Sequence, residues 1–365
     1  MKINYHNIAA VLIVLFFLTG CVSNRQNQLL GRVAPESPTT LLPGQNKISF
    51  FSQGTRIVGH VFLPPDYSNG QLLQALIMVA PESGVKEQSP NNYALKMSQK
   101  GYLSLAFDHR SFGESGGEPR LLEDPFMKIE DIKNAVSYVR SLKMTAKDKI
   151  GLIGICSGAG YATSAAAFDI RIKAVATASG IFDHTDYRPN VQNESADKYF
   201  KGLLQLAGDG RQKYFETGVT DYSKGAFYGE EPEGVKTLKA YYKGSEEREK
   251  YAKLFWKRAN DFYHNGERGQ VKTWEDRRLN SALDSRFALN ASSIIHLISP
   301  RPILFIKGSK ALSGYTTDIA FKKAQNPKEI FKIKGANHFD LYDNNEYLEP
   351  IMEKLDAFFN KSLNF

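Results

Sequence analysis

The sequence predicts an α/β fold: a mostly parallel sheet flanked by helices, with a helical cap inserted over one end. Three observations carry the prediction. Short apolar runs alternate with amphipathic segments along most of the chain. One such run passes directly into a helix through Gly154-Ile155-Cys156-Ser157-Gly158. The alternation breaks once, over the 115 residues from His184 to Ile298, which read as helix and loop. Strand, crossover and strand in succession imply parallel pairing with both faces covered, and ligands in such sheets bind beyond the carboxyl ends of the strands.

The elements follow in order. Residues 1–20 are not a fold element. Lys2 gives a positive start, and Ile8–Leu18 supplies eleven uncharged apolar residues, the length of a signal-peptide core and short of a ~20-residue membrane span. The segment ends Leu18-Thr19-Gly20-Cys21, a motif similar to the bacterial lipobox. That similarity implies lipid transfer to the Cys21 thiol, cleavage before it, and a durable anchor of several acyl chains. The sequence leaves inner or outer membrane open, with Val22, where Asp would signal inner-membrane retention, favouring the outer membrane facing the periplasm. Residues 21–46, with Pro35, Pro38 and Pro43, form a tether.

Residues 47–183 and 299–365 form the two parts of the core. Lys47–Phe51 and Arg56–Phe62 are paired strands. Ala75–Ala80, Tyr102–Asp108, Lys149–Cys156, Ile172–Ser179, Pro302–Lys307 and Glu329–Lys334 are the buried runs. Helices fit Asn91–Gln99, Ile129–Leu142, Gly158–Ala167 and Tyr347–Phe359. The insertion 184–298 is too long to be structureless in a compact domain. It holds Trp256, Trp274 and the pairs Tyr199-Phe200, Tyr214-Phe215 and Tyr241-Tyr242, most of them expected in the cap's own core and a few along a pocket.

Composition excludes several classes. With 42% hydrophobic and 24% charged residues the chain is globular, and 15 Pro and 29 Gly are ordinary. The net charge of +8 is spread: the cap carries 19 Lys/Arg against 17 Asp/Glu, so no basic stripe points to nucleic acid. The seven histidines lack metal-ligand spacing, so neither a metal nor a cofactor is expected. Of the two cysteines, lipid claims Cys21, which leaves Cys156 a lone thiol in an oxidising compartment, a risk that calls for a reason.

The reason is the G-x-C-x-G pattern. A nucleophile on a strained strand-to-helix turn needs small residues two before and two after it, and the helix behind it favours thiolate and oxyanion. Ser157 competes for the role, but centring the motif there puts Ile155 at a small-residue position, so Cys156 is favoured. The base is expected late in the chain, and Gly335-Ala336-Asn337-His338-Phe339-Asp340 follows the last strand.

On these residues the chain resembles the α/β-hydrolase superfamily. Within it, the dienelactone-hydrolase-like branch and the bacterial hydrolases grouped near the S15 peptidases come closest. The matching stretches are Val79–Glu87, Phe107–Arg120, the elbow and Gly335–Asp343. The resemblance implies acyl transfer through a Cys156–His338–acid triad on a small-molecule ester, lactone or thioester. It also implies a Glu82 that contacts the thiol, an oxyanion hole of the Ser83 and Ser157 amides, and an Arg110 that binds a substrate carboxylate. The acid departs from the pattern. Where the family places Asp after the penultimate strand this chain has Ala311, so Asp318 is the first substitute and Asp183 the second, Asp340 lying too close to His338. The alternatives are peptidase-like or acyltransferase chemistry on the same fold, or a binding lipoprotein without catalysis.

Overall fold

The computed structural model describes residues 40–184, 194–225 and 246–364. The signal segment, Cys21, the tether to residue 39 and Tyr241-Tyr242 lie outside them. The order is β1 (Gly44–Ser52), β2 (Thr55–Leu63), β3 (Leu73–Val79), α1 (Ser89–Ser98), β4 (Leu103–Phe107), α2 (Pro125–Ser141), β5 (Thr145–Ile155), α3 (Gly158–Phe168) and β6 (Ala174–Ala178). The cap follows with α4 (Glu194–Thr217), β7 (Tyr222–Lys224), α5 (Glu246–Tyr263), β8 (Arg277–Leu279) and the short α6 (Ala291–Ile294). The core resumes with β9 (Ile303–Gly308), α7 (Gly314–Lys323), β10 (Lys328–Ile333), α8 (Asp340–Asp343) and α9 (Asn345–Leu363).

Eight strands form one sheet in the order β1-β2-β4-β3-β5-β6-β9-β10, antiparallel at β1-β2 and β2-β4 and parallel from β4 onward. The central strands are buried on both faces, which is why they read as unbroken apolar runs rather than as alternation. One apolar layer packs under α2 and α3, the other under α1 and α9.

Every expected strand and helix has its counterpart within a few residues. Three features go beyond the sequence reading: α7, the short α8, and a small β7-β8 ribbon inside the cap. Of the cap aromatics, Phe200 packs edge-on to Phe287 at 5.0 Å, whereas Tyr214 and Phe215 are 50% and 87% exposed, against the expectation that they would fill its interior.

Candidate functional site

The site lies at the carboxyl ends of β3, β5, β9 and β10. Cys156 follows β5 with φ +56°, a left-handed conformation that a side-chain-bearing residue adopts only under constraint. The turn is held by its neighbours. The Cys156 N–H donates to the Ala178 carbonyl at 3.0 Å, and its own carbonyl accepts from Ala159 and Ile181 at 3.0 and 2.9 Å. The flanking glycines are sterically required. A Cβ on Gly154 would meet the Gly158 carbonyl oxygen at 2.5 Å, and one on Gly158 would meet the Val79 carbonyl oxygen at 2.3 Å. Ser157 instead opens α3 in the right-handed region and is buried; its Oγ lies 3.9 Å from the Cys156 sulfur.

His338 sits in the loop between β10 and α8, fully buried. Gly308 at the end of β9 lets that loop approach, since a Cβ there would meet the Ala336 carbonyl oxygen at 2.4 Å. Ser179 Oγ donates to the His338 carbonyl at 2.8 Å, and the ring packs against Phe255 of α5 with centroids 5.1 Å apart. Its Nδ1 lies 2.6 Å from Ser313 Oγ and its Nε2 3.1 Å from the Tyr342 hydroxyl. The Tyr342 hydroxyl also lies close enough to the Cys156 thiol to offset part of the rise that burial causes in its pKa. Ser313, His338 and Tyr342 thus form one hydrogen-bonded chain that ends beside the Cys156 thiol. His338 and Tyr342 are four residues apart where α8 begins, so they share a face.

Burial governs the charges. It pushes the Cys156 thiol up to about 11, with the nearby Glu82 carboxylate adding to the rise against hydrogen bonds from Tyr342 and Ser157. Burial also draws His338 down to about 3. At neutral pH thiol and imidazole are both uncharged.

The expected third member is elsewhere. Asp318, on α7, is half-exposed and bonds Lys307. Asp183 pairs through its backbone with Asn290. Asp340 accepts from the Asn337 N–H and side-chain amide at 2.9 and 2.5 Å, closing the turn that presents His338. The Nδ1 position that any of these carboxylates would need is taken by Ser313, which no sequence signal marked.

Three further expectations are corrected. The Ser83 N–H donates to Glu123 Oε2 at 2.9 Å, so it is not open to an oxyanion; Glu123 also bonds Tyr161 and Lys128. Arg110 is a structural clamp, bonding both oxygens of its contact with Asp131 through backbone and side chain (2.9, 2.9 and 2.7 Å) and reaching Ser52 at 2.9 Å. Glu82 directs its carboxylate not at the thiol but at Arg286 Nη1, 2.7 Å away, with His184 at 3.8 Å. Burial alone would raise Glu82, but Arg286, His184 and Arg278 hold it well below the usual carboxylate range.

The Gly113–Arg120 run, whose role the sequence left open, folds around a buried ion cluster. Asp108 accepts from the Lys86 N–H (2.7 Å), Lys86 Nζ (2.9 Å) and the Glu114 N–H (2.9 Å), while Lys86 Nζ also meets Glu87 and Glu114. Gly113, at φ +51°, is forced: a Cβ there would lie 2.3 Å from Asp108 Oδ2. Arg120 caps the Ser115 and Gly113 carbonyls at 2.5 and 2.7 Å. The cluster ties this loop to residues 81–88 beside the nucleophile. A cleft of about 330 Å³, open mouth included, runs between Glu82-Ser83 of the core and Arg277–Arg286 of the cap.

A family model described as the alpha/beta hydrolase fold matches residues 83–345. Protein YcjY of Escherichia coli is 29% identical over 322 residues, 87% of this chain and 99% of its own. Protein PA2218 of Pseudomonas aeruginosa is 32% identical over 351 residues, 93% of this chain and 87% of its own. The PA2218 crystal structure superposes with a TM-score of 0.74 over 89% of this chain and 95% of that one. A shorter match, 33% identical over 133 residues (36% of this chain and 40% of the relative), is to the thiohydrolase aneE of Aspergillus aculeatus.

Proposed function

The chain belongs to the alpha/beta hydrolase family and is an enzyme of that type, and from this premise we propose that it cleaves acyl esters, lactones or thioesters by acyl transfer through Cys156. The observation that carries the reading is the thiol on a strained elbow, beside a Tyr342 hydroxyl that is hydrogen-bonded to His338. The relative named a thiohydrolase favours a thioester among these substrates.

The resting site is neutral, so thiolate forms only as the new bond does. As Sγ attacks the acyl carbon, its proton passes to the Tyr342 oxygen while the Tyr342 proton passes to His338 Nε2. The Nδ1–H of the resulting imidazolium donates to Ser313 Oγ. The tetrahedral oxyanion is received by the Ser157 amide at the start of α3. The Glu82 amide, which has no hydrogen-bond partner among the described residues, is the second donor in place of Ser83. Collapse breaks the bond to the leaving group, which takes the proton back along the same path. Water then attacks the thioester on Cys156, is deprotonated by the same imidazole, and releases the acid and the thiol. A thiol needs less activation than a hydroxyl, which is why a serine in place of a carboxylate beside His338 suffices.

The test is hydrolysis of an acetyl or hexanoyl thioester. Cys156→Ala and His338→Ala should lose it, while Ser157→Ala keeps it within a few-fold. Turnover retained in Cys156→Ala overturns the reading. The lipobox-like Leu18–Cys21 further supports a lipid anchor at Cys21 in the bacterial envelope at the outer membrane, checked by palmitate incorporation that Cys21→Ser abolishes.

A further inference from the structure

The core connections at the two ends of the sheet differ in charge, while large apolar side chains are exposed at both, Phe126 and, in the cap, Phe215 among those at the carboxyl end. At the end bearing the amino termini of the parallel strands, the connections 64–72, 99–102, 142–149, 168–173, 296–302 and 324–328 carry eight Lys/Arg against three Asp/Glu. Of these, Lys100 is paired with Glu353 of α9. At the opposite end, the core connections 80–88, 108–124, 179–183, 308–313 and 334–340 carry five Lys/Arg against nine Asp/Glu.

Large apolar side chains stand exposed at the basic end. Ile170 is 78% exposed, Leu72 66%, Phe168 64% and Leu297 43%. They precede β3, β6 and β9, so they form a row along the lower edge of the sheet rather than scattered points. Phe168 and Ile170 flank Asp169, whose carboxylate is bound by Arg171 and withdrawn from the surface.

The chain enters the domain at this same end. Gly44 of β1 pairs with Leu63 of β2, and Phe62 of β2 with Ser104 near the start of β4, which fixes the beginning of β1 at the amino-end edge. Leu42, just before it, is 63% exposed. From β1 to β9 the row crosses six inter-strand steps of ~4.8 Å, a span of ~29 Å. Exposed aliphatic and aromatic side chains ringed by Lys and Arg are the chemistry that seats in the interface of an anionic bilayer.

We propose that this face, centred on Phe168 and Ile170, docks on an anionic membrane surface and turns the catalytic mouth away from it. The proposal builds on the lipid anchor at Cys21. The residues between Cys21 and Thr40, at up to ~3.5 Å each, would by themselves allow the domain to stand as far as ~65 Å from the lipid, so the anchor alone sets no orientation. With the lower edge on the membrane, the carboxyl end of the sheet faces the other way, and the cap and cleft stay open to substrate.

The experiment uses the full lipidated chain in vesicles of phosphatidylethanolamine and phosphatidylglycerol, with and without brominated acyl chains. Tryptophan replaces Phe168 or Ile170, and the wild type supplies the background of Trp256 and Trp274. The added indole should lose about a third or more of its emission in brominated vesicles, with little change in the wild type. The quenching should fall by half or more in Lys147→Glu/Lys173→Glu, in vesicles without phosphatidylglycerol, and at ~1 M salt, where the Debye length is ~3 Å. Quenching of Ile170→Trp no greater than the wild type's overturns the proposal. Palmitate incorporation reports the anchor separately. Labelled protein without quenching overturns the docking face alone; quenching without label supports the face and overturns the anchor. All substituted positions are exposed or partly exposed, and an unchanged melting temperature confirms the fold.

Discussion

Ser313 Oγ lies 2.6 Å from His338 Nδ1, where the fold usually places a carboxylate. A hydroxyl fixes the ring but cannot neutralise an imidazolium. Ser313→Ala should therefore reduce kcat/KM about tenfold, ~1.4 kcal/mol in the barrier, with KM little changed. Asp318→Ala, which removes only the contact with Lys307, should stay within about twofold. The paired measurement discriminates between them, and an Asp318→Ala loss larger than that of Ser313→Ala would return the acid role to Asp318.

The pH dependence follows from burial. With His338 drawn down to about 3 and Cys156 pushed up to about 11, kcat/KM should be flat from about pH 5 to 9, without the limb near 6.5 of an ordinary histidine. Ser313→Asp should bring a limb into that range by stabilising the imidazolium. Stability carries the same signature. A histidine whose folded pKa is depressed binds its proton in the unfolded chain first. Its stabilising effect is complete above about pH 6.5 and lost as pH falls towards 3, by ~1.4 kcal/mol per unit. Denaturant melts between pH 6.5 and 4.5 should show a shallower slope in His338→Asn than in the wild type, where His109 and His184, also drawn down by burial, add to it.

Tyr342 bonds the His338 imidazole and lies beside the Cys156 thiol. Tyr342→Phe removes the bridging hydroxyl and keeps the ring that packs on Phe339 at 4.9 Å. Turnover should fall by about a hundredfold, within the range for losing a proton-transfer group. Fluorinated tyrosine at this position should retain turnover and move its pH profile, a readout that a purely packing role would not produce. Full activity in Tyr342→Phe would mean that His338 reaches the thiol directly.

Lys86 and Asp108 are both without solvent exposure, and their pairing holds the loop next to the nucleophile. Lys86→Met leaves Asp108 buried and uncompensated and should cost about 3–5 kcal/mol in a denaturant titration. Lys86→Met/Asp108→Asn should recover most of it, because removing both charges costs less than breaking the pair.

The fold was legible because its signals are local. Doubly buried strands make short apolar runs, and the glycines around Cys156 mark contacts of 2.3–2.5 Å that no larger residue survives. His338 was legible by position, as the loop after the last strand. The rest depends on what distant segments bring together. Ser313 looks like any loop serine until β9 and β10 set it beside His338. Tyr342 had a faint signal, its four-residue spacing from His338 at a helix start. Glu82 and Ser83 share the turn after β3, but that the Ser83 amide is occupied depends on Glu123, forty residues away in sequence. Arg110 and the Gly113–Arg120 run carry charges that look like ligands for a substrate. Only their partners, Asp131 and backbone carbonyls, give them their structural role.

The most direct measurement is intact-protein mass spectrometry of the enzyme quenched in acid within milliseconds of mixing with a slow acyl thioester, followed by peptide mapping. The predicted result is one added acyl group on Cys156, absent in Cys156→Ala and persistent in His338→Ala treated with a reactive ester. An acyl group on Ser157, or turnover with the thiol blocked and no acyl adduct on any residue, would contradict the assignment.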